Sequence, residues 1–244
     1  MRTIRLYVDL PLAPDCDASL PAAAAEHATR VLRLRSGDAL VLFNGDGHDY
    51  PAQLLGVSRA DASVRIAGRG APAAPESPLA LTLAQGIARG DKMDWILQKA
   101  TELGVTRIVP LITARTEVRL DAERSEKRMA HWRGVITSAC EQCGRARLPE
   151  LSTPRLLTEW AFAADALDGL RLRLDPEAAG GPRQLPAFTA ACLVVGPEGG
   201  LAPADHALLQ KAGFAGMRLG PRVLRTETAG LAALATLQTL RGDF

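Results

Sequence analysis

Two stretches of this 244-residue chain set chemistry-bearing residues beside glycine. Leu193–Asp205 reads LVVGPEGGLAPAD, and Met217–Leu234 reads MRLGPRVLRTETAGLAAL. Each runs from an apolar strand through a Gly-Pro turn toward a helix, and the second delivers Arg225, Thr226 and Glu227 at the helix start. Lacking Cβ atoms, glycine loops let peptide N–H and C=O groups come close enough to a flat heterocycle to read its edges. Gly196, Gly199 and Gly200 would serve equally well as plain turn residues, so it is the pairing of two such loops that argues for one ligand site. Three common ligand classes drop out. GPEGG lacks the G-x-G-x-x-G spacing of a dinucleotide site and comes late in the chain, no P-loop Gly-Lys-Ser/Thr is present, and no G-x-S-x-G nucleophile elbow is present.

The elements that must carry these loops fall into two groups. Residues 1 to about 70 are β-rich: IRLYV, the pair of strands within Ala39–Val57 around a Gly/Asn/Asp turn, and SVRIAG, with one short helix near PAAAAEHATRVLRL. This pattern fits a small barrel. Gly68–Pro78 then gathers Gly, Pro and Ala without periodicity, as exposed linkers do, which places the domains at 1–72 and 73–244. Beyond it strands and helices alternate, the signature of an α/β domain with a largely parallel sheet. Leu79–Ile87 is a strand, and the helix DKMDWILQKATELG is expected to open at Asp91 and close at Gly104, with Met93, Ile96, Leu97, Ala100 and Leu103 on one stripe. The strand ACLVV leads into GPEGG, and the last helix runs from about Thr226 to Arg241. In open parallel sheets ligands bind beyond the carboxyl ends of the strands, where both loops lie. The helix after GPEGG begins LAPAD, so Pro203 enters it without a strong N-cap.

Composition bounds the rest. Hydrophobic residues at 47% and charged ones at 23% suit a globular chain with a sizeable core. A net charge of +2 requires any nucleic-acid surface to come from local clusters. No stretch has the length of a signal peptide or a membrane span, so no membrane partner and a cytoplasmic location are expected. Cys140 and Cys143 form a C-x-x-C, but Cys16 and Cys192 are isolated, and no His/Asp/Glu constellation suggests a metal.

The blocks VVGPEGG, RLGPRVLRTETA and ACEQCGR (Ala139–Arg145), in this order and spacing, resemble the RsmE family of 16S rRNA uridine-N3 methyltransferases in the SPOUT superfamily. The likeness extends through SPLALTLAQGIARGDKMDWILQKATELGV and covers nearly the whole chain. It implies a SPOUT-type parallel sheet with a C-terminal trefoil knot, an exception to the unknotted-chain rule, behind an N-terminal PUA-like β-barrel domain. It further implies S-adenosylmethionine as cofactor, 16S rRNA or the small ribosomal subunit as partner, and a homodimer through the knot domain. On this reading Leu172 and Leu174 border the methionine end. Gly196 and Gly199 line a second side, Leu219, Gly220 and Leu224 hold the adenine, and Thr226 contacts the cofactor.

Methylating uridine N3 requires a weakly acidic imide to lose its proton. Glu227 or Glu198 is the candidate acceptor, and Arg225 the candidate for stabilising charge on the carbonyl oxygens; Glu227 could instead be a first-turn acid favouring the helix N-terminus. No covalent cysteine is needed, because the attack comes from nitrogen. For RNA, Arg30, Arg33 and Arg35 form one local cluster, with Arg115, Arg119, Arg124, Lys127 and Arg128 as a second. Glu141, Gln142 and Arg145 are candidates to reach cofactor or RNA, although Glu141 and Arg145 also have the i,i+4 spacing of a helical pair. Without interleaved aromatics, shape and backbone recognition fit better than base stacking. Two other readings remain: a non-catalytic RNA-binding factor, which would lack S-adenosylmethionine binding, and a ribose 2′-O-methyltransferase, in which an Asn- and Ser-rich loop would replace RVLRTETA.

Overall fold

The computed structural model describes residues 3–57, 61–117, 122–163 and 169–244. It divides into two compact units, Met1–Glu76 with Thr137–Leu148, and Ser77–Ile136 with Pro149–Phe244. The first boundary thus falls at 76/77, within the linker composition, where 72/73 was expected. The return of Thr137–Leu148 to the first unit leaves no mark in composition, because individual side chains bring it about. Glu141 accepts the Tyr7 N–H at 3.0 Å, and buried Arg145 pairs with Glu76 at 2.6 Å. Arg5, paired with buried Asp49, donates to the Arg145 carbonyl at 3.0 Å. Arg145 lies beyond the helix, which ends at Cys143, so it and Glu141 are not on one helical face as their spacing allowed.

The first unit holds a five-stranded sheet of β1 (Arg5–Tyr7), β2 (Cys16–Ser19), β3 (Ala39–Phe43), β4 (Tyr50–Val57) and β5 (Ala62–Ile66), in the order β1-β3-β4-β5-β2. Only β1 and β3 pair in parallel. The two-residue period is plain in β4, which buries Tyr50, Ala52 and Leu54 and exposes the residues between them. β2, sequence CDAS, turns only Cys16 and Ala18 toward the core, both partly buried, so its alternation is too short and weak to give a sequence signal. Helix α1 (Ala22–Glu26) runs into a π-turn over His27–Val31.

The second unit is built on a parallel sheet of β6 (Ala80–Gly86), β7 (Arg107–Ile112), β8 (Glu150–Leu151), β9 (Arg155–Leu156), β10 (Leu170–Leu174), β11 (Ala190–Val195) and β12 (Ala215–Met217). The order is β12-β10-β11-β6-β7-β8, with β9 also on β7. The central strands β6 and β11 are almost continuously buried, as a sheet covered on both faces demands. Helices α2 (Asp91–Glu102), α3 (Ala122–Cys143), α4 (Leu157–Trp160), α5 (Pro203–Lys211) and α6 (Thr226–Arg241), with a single 3₁₀ turn at Pro182–Gln184, complete the described elements. Trp160 and Phe214, with ring centroids 5.8 Å apart, anchor one core cluster with Val109, Val194 and Leu209.

One helix start departs from expectation. Gly90, at φ 52°, takes the cap position of α2, and Asp91 is its first helical residue. Helix α5 has no side-chain cap from Ala202, as expected, but the buried Asp205 in its first turn accepts the Ala202 N–H at 2.9 Å. The signal lay inside the helix, three residues past the cap position.

Candidate active site

All strands of the second sheet run parallel, so their carboxyl ends share one edge. There β6 ends at Gly86, β11 gives way to Gly196, β10 to Asp175 and β12 to Arg218. The Gly196–Gly200 loop is held from several directions. Gly196 O accepts the Thr226 hydroxyl at 2.6 Å and Gln85 Nε2 at 3.3 Å. Arg115 donates to Gly199 O at 2.7 Å, and the Gly200 N–H donates to Pro197 O at 2.8 Å. The Glu198 carboxylate accepts the Arg89 N–H at 3.0 Å and faces Lys92 Nζ at 3.4 Å. Burial alone would raise the Glu198 carboxyl; the Arg89 amide, its own amide and Lys92 outweigh that and hold it below the usual carboxylate range. The close packing requires glycine: a Cβ on Gly196 would lie 2.7 Å from the Gly200 carbonyl carbon, and one on Gly86 2.5 Å from Pro197 Cδ.

The second loop lines open space. Two adjoining cavities share Arg218, Leu219, Gly220 and Leu224. One adds Leu174, Asp175, Met217, Arg222 and Ala229; the other adds Gly181, Pro182, Arg183, Gln184, Ala232 and Thr236. The latter encloses about 460 Å³, within the range of small-molecule sites. Gly220 has φ 96°, in the left-handed region, and a Cβ there would meet nothing within 4 Å.

Helix α6 opens beside both loops. Arg225 is exposed at its cap position and makes no ion pair among the described residues. Thr226 is buried with its hydroxyl spent on Gly196 O. Glu227 is half-buried, and its Oε2 is buried without a hydrogen-bond partner among the described residues.

Of the residues expected around a cofactor, Leu174, Leu219, Gly220 and Leu224 share the cavity walls. Leu172 is 1% exposed, within the sheet between Leu193 and Ala215, and lines neither cavity. Gly196, Gly199 and Thr226 belong to the hydrogen-bonded loop. Sequence reasoning missed Gln85, the GGPRQ turn at 180–184, and the face of α6 formed by Ala229, Ala232 and Thr236. The last two left signals: a third Gly-Pro loop, and small residues at helical spacing. In the first unit Arg30, Arg33 and Arg35 are exposed, with Arg30 paired to Glu26 at 2.5 Å. Gln142 is exposed there, whereas Glu141 and Arg145 are the internal struts already described. Burial raises the Glu141 carboxyl despite the Tyr7 amide. In the second basic cluster Arg115 braces Gly199, and Arg119 and the Arg124 side chain lie outside the described residues. Burial pushes the Cys140 thiol up to about 12, which leaves it unreactive at neutral pH. No group of three or more metal-ligating side chains occurs among the described residues.

Residues 75–238 match the RNA methyltransferase domain family, and residues 20–67 the RNA methyltransferase PUA domain. The ribosomal RNA small subunit methyltransferase E of Buchnera aphidicola is 30% identical over 99% of this chain and 98% of its own. That of Mycobacterium bovis is 34% identical over 88% and 83%. Among solved structures, a methyltransferase of Legionella pneumophila in complex with bound SAM is 40% identical, with TM-score 0.95 over the whole of both chains. The ribosomal RNA small subunit methyltransferase E of Neisseria gonorrhoeae, bound to S-adenosyl methionine, is 36% identical, with TM-score 0.90 over the whole of both chains. Parallel sheet, glycine loops and full-length likeness agree: the chain belongs to the RNA methyltransferase family, among the ribosomal RNA small subunit methyltransferase E proteins.

Proposed function

We propose that this protein transfers a methyl group from S-adenosylmethionine to N3 of a uridine in the RNA of the small ribosomal subunit, in the cytoplasm. The observation that carries the reading is the first turn of α6, which follows Leu224 of the cavity wall and presents the exposed Arg225 and the half-buried Glu227, whose Oε2 has no hydrogen-bond partner among the described residues. The cavity fits the cofactor. Leu219, Gly220 and Leu224 offer backbone edges and apolar surface to an adenine, Leu174 borders the same space, and no side chain at Gly220 fills it. When bound, S-adenosylmethionine supplies an electrophilic methyl group on a sulfonium.

The chain's own residues then have separable tasks. Glu227, with one oxygen unpartnered among the described residues, accepts the N3 proton of the imide. Glu198 is the poorer base, because the Arg89 amide and Lys92 stabilise its ionised form. Arg225 stabilises the negative charge that deprotonation spreads onto the uracil oxygens. Arg30, Arg33, Arg35 and Gln142, exposed on the first unit, contact RNA phosphates. The reading includes a homodimer through the second unit, supported by the large apolar surfaces of Trp95, 53% exposed, and Phe244, 61% exposed. It also includes the trefoil knot, supported by the close convergence of Gly86, Gly196 and Thr226.

The test incubates the protein with radiolabelled S-adenosylmethionine and small subunits from a strain lacking the modification, and then separates the nucleosides. Label is expected in 3-methyluridine. Arg225→Ala is expected to lower the rate by about 10²–10³-fold, the cost of removing one charge-stabilising donor. Label in a ribose methyl would make the protein a 2′-O-methyltransferase. No label on subunits or free rRNA would make it a binding factor.

A further inference from the structure

Gln85 lies one residue from the end of β6, in register with Val195 of β11 and Pro110 of β7, and is 0% exposed. Its Nε2 donates toward Gly86 O at 2.9 Å, Gly196 O at 3.3 Å and Thr226 Oγ1 at 2.9 Å. The Thr226 hydroxyl sends its own proton to Gly196 O at 2.6 Å. One amide and one hydroxyl thus join three separate passes of the chain: the end of β6, the loop after β11 and the start of α6. The passes are pressed together with no room for side chains at Gly86 or Gly196. At Gly230, one turn into α6, an added Cβ would already touch Gln85 Oε1 at 3.5 Å.

Packing alone does not account for an amide here. Gln85 Oε1 has no hydrogen-bond partner among the described residues, and an orphaned buried acceptor costs about 1–3 kcal/mol. An apolar side chain of similar length would escape that cost, but it would leave Thr226 and Gly196 without their common donor. Arg225, immediately before Thr226, has no ion pair among the described residues to orient it. The register of the first turn of α6 therefore depends on what holds Thr226.

We infer that Gln85 is a positioning residue: through the Thr226 hydroxyl and the Gly196 carbonyl it fixes the first turn of α6, and with it Arg225 and Glu227, against the Gly196 loop. The inference rests on the methyl-transfer reading above. It gives Thr226 a different task from the one its place in the sequence suggested, since the threonine acts on its neighbours and not on the cofactor.

The test compares full-length wild type with Gln85→Met, Thr226→Val and Thr226→Ser. Three quantities are measured: thermal midpoint, S-adenosylmethionine affinity by calorimetry, and single-turnover methyl transfer to unmodified small subunits. Gln85→Met and Thr226→Val are expected to slow transfer by about 10–100-fold, the scale of a misplacement near 1 Å, with cofactor affinity retained. Thr226→Ser, which keeps the hydroxyl, is expected to transfer at close to the wild-type rate. Thr226→Val is isosteric, so it keeps the test decisive if Gln85→Met does not fold. A lower thermal midpoint with an unchanged transfer rate would make the pair a plain structural brace and overturn the inference. A tenfold loss of cofactor affinity in Thr226→Val but not in Gln85→Met would overturn it too, by making Thr226 a direct ligand. Unaffected variants beside an active wild type would sink only the role of Gln85; an inactive wild type would sink the methyl-transfer reading with it.

Discussion

The two Gly-Pro loops look alike in sequence and differ in what holds them. Around Gly196–Gly200, Thr226, Gln85, Arg89, Lys92 and Arg115 all reach in to bind backbone or carboxylate. Residues 219–224 form no hydrogen bond among the described residues, and Val223 is 81% exposed at their tip. One loop is a wall completed by the protein itself; the other is a surface left for something else to complete. A Gly-Pro signature therefore marks close backbone approach without saying what approaches. In the first loop it is the rest of the chain, and in the second it is open cavity.

The sharpest way to break this contrast sets the two carboxylates against each other. Glu227→Gln removes the uncommitted oxygen and is expected to lower the turnover rate by about 10²–10⁴-fold, the usual worth of a general base. Glu198→Gln keeps a hydrogen-bond acceptor for the Arg89 amide and is expected to cost far less. Equal losses in the two variants would erase the distinction. The pair also differs in stability against pH. The Glu198 carboxyl is depressed in the folded state, so its ionised form contributes stability above the ordinary value of 4.5, and that contribution is lost as the pH falls through the folded-state value. The thermal midpoint of wild type should therefore exceed that of Glu198→Gln by the most near neutrality, with the gap closing in acid. A gap that widened in acid would mean that the carboxyl is not held ionised.

Next in size is a pair of glycine substitutions. In Gly196→Ala the new Cβ would meet the Gly200 carbonyl carbon at 2.7 Å and Leu201 N at 2.8 Å. Backbone cannot yield cheaply, so about 1–3 kcal/mol of stability should be lost, read as a drop in thermal midpoint. Gly220→Ala meets no atom and carries only the strain of its positive φ, about 1–2 kcal/mol. It should weaken S-adenosylmethionine binding more than Gly196→Ala does. If the ranks for stability and binding came out reversed, the roles of wall and surface would have to be exchanged.

The alternation of strands and helices in the second unit was legible because parallel strands are long apolar runs and amphipathic helices keep their period. α6 fell on its expected span, from Thr226 to Arg241. The elements that escaped were short: the four-residue β2, the two-residue β8 and β9, and the four-residue α4. In the site, glycines and charged residues stood out because their types are unusual where they occur. Gln85 did not, since a lone amide in a buried strand becomes informative only when its partners, Gly196 and Thr226, are seen to be 111 and 141 residues away along the chain. The same holds for Glu141 and Arg145, whose partners Tyr7 and Glu76 are likewise distant in sequence. Local pattern reports what an element is; long-range hydrogen bonds decide what a polar side chain is for.

The smallest effect offers the finest cut between the loops. Val223 is 81% exposed, yet it lies between Arg222, which lines the cavity, and Leu224, which lines it too. An exposed valine with no packing role contributes little to folding, so Val223→Ser should leave stability unchanged within about 0.5 kcal/mol. If the loop is completed by substrate or cofactor, that apolar surface is buried in the complex. Losing about 0.8 kcal/mol of burial, one methylene's worth, then weakens the affinity concerned by about fourfold. Calorimetry with S-adenosylmethionine and the KM for small subunits show which ligand covers the valine. A shift confined to the subunits would place the loop tip against RNA, and one confined to the cofactor would place it over the cavity. If neither moved, the second loop would be an exposed turn at its tip, and only Leu219, Gly220 and Leu224 would remain as the surface that a ligand completes.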